Sequence, residues 1–139
     1  MKHKIMYMIS GLILASAILL IVLITFWYAY PYKPLKVNNL SVMTREVRRG
    51  STFIYELDYC KKGEGQVQIS RRFVDGVVYS MPDIYVLNPE GCRIINIGID
   101  IPHSLPSGEY RLEIDYSYKV NPIKVVTVKV MTGVFLIVD

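Results

Sequence analysis

An all-β domain behind a single N-terminal transmembrane helix is the fold class that this sequence predicts, and three observations predict it. The stretch from Ile5 to Tyr30, IMYMISGLILASAILLIVLITFWYAY, carries no charged residue. About 20 apolar residues suffice to cross a bilayer as a helix. The chain beyond it consists of short Val-, Ile-, Tyr- and Thr-rich segments separated by Gly, Pro, Asn and Asp, which is the spacing of a sandwich or barrel. Several of those segments alternate apolar and polar residues, the period of a half-buried strand. The predicted organisation is a short tail over 1–4, a transmembrane helix over 5–30, a connector over 31–39 and one β domain over 40–139.

The helix follows from the solvent it would enter. In hydrocarbon every backbone N–H and C=O must be paired within the segment. Phe26, Trp27, Tyr28, Tyr30 and Tyr32 crowd its C-terminal end. Trp27, Tyr28, Tyr30 and Tyr32 combine an apolar ring with a polar tip, so they are the expected membrane-interface belt. Pro31 and Pro34 then stop the helix. A cleaved signal peptide would use Lys2 and Lys4 as its basic region and Ala15-Ser16-Ala17 as its cleavage site. The apolar run continues for ten residues past Ala17, to Trp27, so a signal anchor is expected instead. Gly11 and Ala15 form a small-xxx-small pair through which two helices can approach. Lys2 and Lys4 favour an inside N-terminus, whereas Lys33, Lys36, Arg45, Arg48 and Arg49 argue the reverse. Charge alone leaves orientation open.

Removing the anchor and connector from the 139 residues leaves the size of one domain with one core. The net charge of +4 and pI of about 9.0 suit anionic lipid headgroups. The basic pairs Arg48-Arg49, Lys61-Lys62 and Arg71-Arg72 are scattered. They read as solvated surface rather than as the dense stripe that binds nucleic acid. The expected partners are therefore a lipid bilayer and a protein, with no nucleic acid.

Taken in order, Leu40 to Val47 is the expected first strand and Arg49-Gly50-Ser51 a turn. Phe53, Tyr55, Leu57 and Tyr59 fall on one face of the next strand, with Glu56 and Asp58 on the other. Val67, Ile69 and Phe73 share a face of a third. Asp75-Gly76 between Phe73-Val74 and Val77-Val78 is a hairpin signal. Two short strands flank Pro82, which suits an edge position. Asn88-Pro89-Glu90-Gly91 turns the chain, and Ile95, Ile97, Ile99 and Ile101 share the face of the strand that follows. Tyr110, Leu112, Ile114, Tyr116, Tyr118 and Val120 then alternate with Arg111, Glu113, Asp115, Ser117 and Lys119. Ile123 to Val138 forms the last strand, bent at Thr132-Gly133.

About seven strands and no second helix predict an immunoglobulin-like β-sandwich. Leu105 to Tyr110 resembles the entry to the penultimate strand of such folds, where a tyrosine bonds back to upstream backbone in a tyrosine corner. Trp27 lies in the membrane belt and Leu112 stands where a cysteine would follow that tyrosine, so an antibody-type domain is not expected. In an immunoglobulin-like order the strand ending at Cys60 and the strand opening at Cys92 are antiparallel neighbours, so the two cysteines can meet. A Cys60–Cys92 disulfide is expected, with two free thiols as the alternative. Because disulfides persist in oxidising compartments, the bridge favours a domain outside the inner membrane, in the periplasm.

No phosphate-binding, dinucleotide-binding or serine-hydrolase signature is present. His103 stands alone in the turn Ile101-Pro102-His103-Ser104, and His3 precedes the membrane span. No catalytic, metal or cofactor site is therefore expected, and the protein is not expected to be an enzyme.

Tyr55, Asp58, Tyr59, Cys60 and Lys61 open a series of phrases that continues with Gly91-Cys92. It goes on through Ile101-Pro102, Leu105-Pro106, Gly108 and Tyr110, and ends with Tyr116, Tyr118 and Val120-Asn121-Pro122-Ile123. In these the chain resembles small, uncharacterised membrane-anchored proteins encoded by tailed bacteriophages and prophages. The resemblance implies a single-pass protein of a bacterial inner membrane and brings no assigned activity. Two functions fit. One is a tethered binding module that presents its β domain to an envelope or virion partner, in superinfection exclusion or as a lysis accessory. The other is a structural subunit of a membrane or virion assembly, built as a homo-oligomer through strand edges or helix contacts.

Overall fold

The uncharged run becomes one helix, and the alternating segments become the strands of two sheets. The computed structural model describes residues 2–87 and 89–139. Asn88, the first residue of the expected turn before Gly91, lies outside the described residues. The chain divides into two units. One comprises the residues up to Tyr32 together with Asn121–Lys124, and the other comprises Lys33–Val120 with Val125–Asp139.

In the first unit, α1 (Lys2–Ala29) runs through the whole apolar stretch and stops two residues before Pro31. No basic residue of its own lies in its last turn. Lys124 takes that place: its Nζ donates to the carbonyls of Tyr28 (2.8 Å) and Tyr30 (2.7 Å). Asn121 Nδ2 donates to the Trp27 carbonyl at 2.8 Å. Carbonyls at a helix C-terminus have no intrahelical partner, and a cation there also complements the helix dipole.

Ten strands follow among the described residues: β1 (Leu35–Val42), β2 (Glu46–Arg48), β3 (Thr52–Lys61), β4 (Val67–Asp75), β5 (Val77–Ser80), β6 (Ile84–Val86), β7 (Gly91–Asp100), β8 (Gly108–Asn121), β9 (Lys124–Met131) and β10 (Phe135–Val138). One sheet has the order β1-β3-β7. The other runs β2-β10-β8-β4-β5, with β6 also on β4 and β9 also on β8. β2 and β10 pair in parallel, and β1 with β3, β3 with β7, β8 with β10, and β4 with β5, β6 and β8 pair antiparallel.

The count of ten rather than about seven has local causes. The expected first strand, Leu40 to Val47, is the end of β1 plus most of β2. β1 starts at Leu35, inside the stretch expected to be connector, because Leu35 pairs with Lys61 at the far end of β3. The expected last strand bends at Thr132-Gly133 and divides into β9 and β10. Thr132 holds that break closed. Its N–H donates to the Leu112 carbonyl and its Oγ1 accepts from the Leu112 N–H, both at 2.9 Å.

The alternating faces pack as their period predicts. Phe53, Tyr55, Leu57 and Tyr59 of β3 are buried, as are Val67, Ile69 and Phe73 of β4 and Tyr110, Leu112, Ile114, Tyr116 and Tyr118 of β8. Both sheets contribute to one hydrophobic cluster. Phe53 of the first sheet stacks on Phe135 of the second with ring centroids 4.1 Å apart. Phe73 meets Phe135 edge-on at 6.0 Å. Rings of this size dominate core energetics, and offset or edge-to-face pairs add about 0.5–1.5 kcal/mol beyond their buried area.

Candidate functional site

The described residues among those singled out from the sequence are taken in separate groups. The aromatic residues expected to form a membrane-interface belt lie at and just beyond the C-terminal end of α1. Phe26 and Tyr30 have ring centroids 5.5 Å apart, and Tyr30 and Tyr32 lie at 6.0 Å. Tyr28 is exposed and Trp27 half-buried. Lys124 and Asn121, which bind the carbonyls of that same helix end, were not legible as part of it. They lie more than ninety residues away in sequence, and nothing local marks a lysine as a cap for a distant helix.

Cys60 and Cys92 are direct cross-strand partners of β3 and β7 and form a disulfide. Tyr110 makes the tyrosine-corner bond: its hydroxyl donates to the Pro106 carbonyl at 3.0 Å. His103 is exposed in its turn, with its ring against Gly50.

Glu113 and Asp115 share the outward face of β8. Arg72, opposite Glu113 on β4, donates to Glu113 Oε1 (2.8 Å) and Asp115 Oδ2 (2.5 Å). Lys129 of β9 approaches Glu113 at 3.4 Å. The hydrogen bond from Arg72 holds the Glu113 carboxyl below its ordinary value. The network ties three strands together, and a carboxylate neutralised in this way is poorly suited to act as a base.

The basic pairs are less uniform than solvated surface. Lys61 is buried and its Nζ donates to the Gly65 carbonyl at 2.7 Å. The reason is period two: Lys61 continues the inward row Phe53, Tyr55, Leu57, Tyr59. Arg49 pairs with the Asp139 carboxylate and donates to Ser107 Oγ at 3.1 Å. In the core, burial pushes the Tyr55 and Tyr116 phenols above their ordinary values, and the positive charge of Arg71 opposes the shift in both.

Among the described residues no three His, Cys, Asp or Glu side chains converge as a metal site would require. An open groove of about 390 Å³ lies between Leu40, Ser41, Val42, Arg45, Gly133 and Val134. Arg45 is its only charged lining residue, so it offers no pair of groups for acid–base or nucleophilic chemistry.

No family model and no curated protein matches the chain. Solved structures do. The C-terminal domain of Wzt is similar at a TM-score of 0.52 and 8% identity, over 78% of this chain and 75% of that one. A CARDB domain from Pyrococcus furiosus, solved in complex with di-metal ions, has a TM-score of 0.38 and 13% identity, over 78% of this chain and 98% of that one. A β-glucosidase from Listeria innocua has a TM-score of 0.35 and 15% identity, over 71% of this chain but only 16% of its own. The match to Wzt concerns the fold alone, and the match to a small part of the glucosidase shows no enzyme activity. The chain is a mostly β protein with one apolar N-terminal helix and an immunoglobulin-like β fold.

Proposed function

We propose that this chain is a membrane-anchored, extracytoplasmic binding module of phage or prophage origin. Its β domain reads as an immunoglobulin-like sandwich that meets a protein of the bacterial envelope or virion and catalyses nothing. The observation that carries the proposal is the span Lys4–Ala29. Its mean hydropathy is 2.7, and none of its most apolar window is buried within the protein. A core helix of a soluble protein would be mostly buried. An apolar surface of this length left in water is costly, and lipid is the solvent that removes the cost. The disulfide supports an oxidising compartment outside the inner membrane. The phage setting rests on the phrases around Cys60, Cys92 and Tyr110–Ile123.

The span is tested by fractionation. The full-length protein should stay with the inner membrane through carbonate and high salt; release by salt would refute insertion, because salt screens only electrostatic attachment. Orientation is tested with protease on spheroplasts, which should digest the β domain and leave an anchor fragment. Survival of the domain until the membrane is broken would reverse the topology. The partner is sought by crosslinking and pull-down of the tagged protein from infected cells. A second reading, a structural subunit of a homo-oligomeric assembly, is favoured by one observation, the ten-residue edge strand β7, which among the described residues pairs with β3 alone.

A further inference from the structure

Turn positions are dominated by Gly, Pro, Asn, Asp and Ser, each for a reason of backbone conformation or backbone hydrogen bonding. The turn between β8 and β9 reads Asn121-Pro122-Ile123-Lys124. Asn121 and Pro122 follow the rule. Pro122 stands at the first central position, where its fixed φ is favoured. The Asn121 Oδ1 accepts from the Ile123 N–H at 3.1 Å, the bond of an Asx turn. Ile123 breaks the rule. It brings no turn chemistry, and it is 51% exposed.

The turn belongs to the same unit as α1, and its two flanking side chains bind the helix end. Asn121 Nδ2 donates to the Trp27 carbonyl at 2.8 Å. Lys124 Nζ donates to the Tyr28 and Tyr30 carbonyls at 2.8 Å and 2.7 Å. Asn121 and Lys124 are half-buried in consequence, and Pro122 and Ile123 between them are exposed. Under the membrane-anchored reading the length of α1 sets their depth. At about 1.5 Å per residue the helix rises about 35 Å from Lys4 to Trp27. The hydrocarbon core is about 30 Å thick, and about 40–45 Å with the headgroup regions. With Lys4 at one boundary, Trp27 reaches the other, and the carbonyls of Trp27, Tyr28 and Tyr30 lie where hydrocarbon gives way to headgroups. Side chains within hydrogen-bond distance of those carbonyls share that level.

We propose that the Asn121–Lys124 turn is a second membrane contact, with Pro122 and Ile123 resting in the headgroup–acyl boundary of the leaflet in which α1 ends. The proposal deepens the membrane-anchored reading and rests on it, and it holds for either orientation of α1. Three observations select lipid as the occupant. The turn is continuous with the membrane helix, because three hydrogen bonds tie it to the last carbonyls of α1 and the residue just beyond. Its exposed tip is apolar and is flanked by the cationic Lys124, the combination that suits an interfacial contact. Phe26 and Tyr28 of the same unit are 58% and 76% exposed, so Ile123 adds to an apolar surface that lipid already has to cover. A protein partner would have to reach Ile123 through the headgroups. The polar flanks serve the same setting: carbonyls at a helix C-terminus lack intrahelical partners, and near hydrocarbon they need donors from the chain itself.

The test uses the full-length protein, deuterated except at isoleucine methyl groups, in nanodiscs of phosphatidylcholine and phosphatidylglycerol. Nuclear Overhauser cross-peaks between a methyl group and lipid protons require direct contact. Ile123→Val, a conservative change, assigns the Ile123 signal. The expected result is cross-peaks from Ile123 to glycerol and upper acyl-chain protons, alongside cross-peaks from Ile21 and Ile24 of α1 to acyl-chain protons. Cross-peaks from Ile123 to water alone, with the lipid cross-peaks of Ile21 and Ile24 kept, overturn the proposal and leave the anchor standing. Loss of lipid contact at Ile21 and Ile24 overturns the membrane-anchored reading and this contact with it. The double variant Asn121→Ala/Lys124→Ala removes the bonds to the helix end. It should lose the Ile123 lipid cross-peaks and keep those of Ile21 and Ile24. Unchanged methyl shifts of the buried Ile69 and Ile114 and an intact Cys60–Cys92 bridge verify its fold. Ile123 cross-peaks that survive in that variant at full strength overturn the helix end as what places the turn in the membrane.

Discussion

Removal of the Cys60–Cys92 bridge is the perturbation whose magnitude the structure sets most directly. The two residues are 32 apart in sequence. In the chain-entropy model a closed loop of that length restricts the unfolded chain by about 3–4 kcal/mol at 25 °C. The folded state adds little to the loss. Cys60 is half-buried and Cys92 exposed, so a serine at either place opens no apolar cavity. β3 and β7 stay aligned through the nine other register pairs, Thr52↔Asp100 to Tyr59↔Arg93 and Lys61↔Gly91. The effect should therefore act through the unfolded state. Cys60→Ser, Cys92→Ser and the double variant should each lose the same about 3–4 kcal/mol. For a domain of this size that is about 15–30 °C in Tm. Urea unfolding of the full chain in a constant detergent background reads the loss, and the slope against urea should rise as the unfolded state expands. Two results would refute the reasoning. A single-variant loss below about 1 kcal/mol would mean that the bridge constrains little. A double-variant loss near twice the single would mean that each cysteine acts on its own rather than through the bridge.

Three further outcomes follow from the same structure. Gly50 has φ +75°, and an added Cβ would sit 2.0 Å from His103 Cε1. His103 is exposed and can swing aside, so Gly50→Ala should cost about 1–2 kcal/mol from the left-handed backbone, and adding His103→Ala should not restore it in the same urea assay. Thr132→Val leaves the Leu112 N–H without its acceptor in a buried site. It should cost about 1–3 kcal/mol, whereas Thr132→Ser should retain most of the stability. Glu113 has a folded-state carboxyl held below its unfolded value by Arg72. Its contribution is fully present above the unfolded pKa and lost as pH falls through the folded one. Glu113→Gln should therefore flatten the acid limb of a stability-against-pH curve and leave its neutral limb parallel to that of the wild type; an unchanged acid limb would show that the Arg72 contact contributes nothing.

Much of the architecture was legible locally. A charge-free run followed by Trp27, Tyr28, Tyr30 and Tyr32 specifies a helix of membrane length, because backbone pairing in an apolar solvent leaves few other choices. The inward rows of β3, β4 and β8 could be read from the sequence because side chains alternate with a fixed period of two. The turn at Gly50, the hairpin at Asp75-Gly76 and the bend at Thr132-Gly133 carry their own chemistry. The Cys60–Cys92 pairing follows from β3 and β7 being antiparallel neighbours.

The tertiary structure decided what period two cannot express, namely which strand lies beside which and where the ladder stops. Lys36, Asn38 and Asn39 look like connector, yet Leu35 to Val37 is strand because β3 extends a bare edge to Lys61 and β1 satisfies it. Lys61 is polar and basic, yet it is buried because the row to which it belongs turns inward. Ile95 and Ile97 have the pattern of core residues, yet they are half-buried because β7 is the end of its sheet. Glu113 and Asp115 look like free surface acids until β4 brings Arg72 against them. Lys124 finds its carbonyls at the end of a helix far away in the chain. The sequence by itself determined the helix, the strand faces and the turns, because these depend on neighbours a few residues apart. Edges, caps and ion pairs join residues distant in sequence, and only the folded chain brings them together.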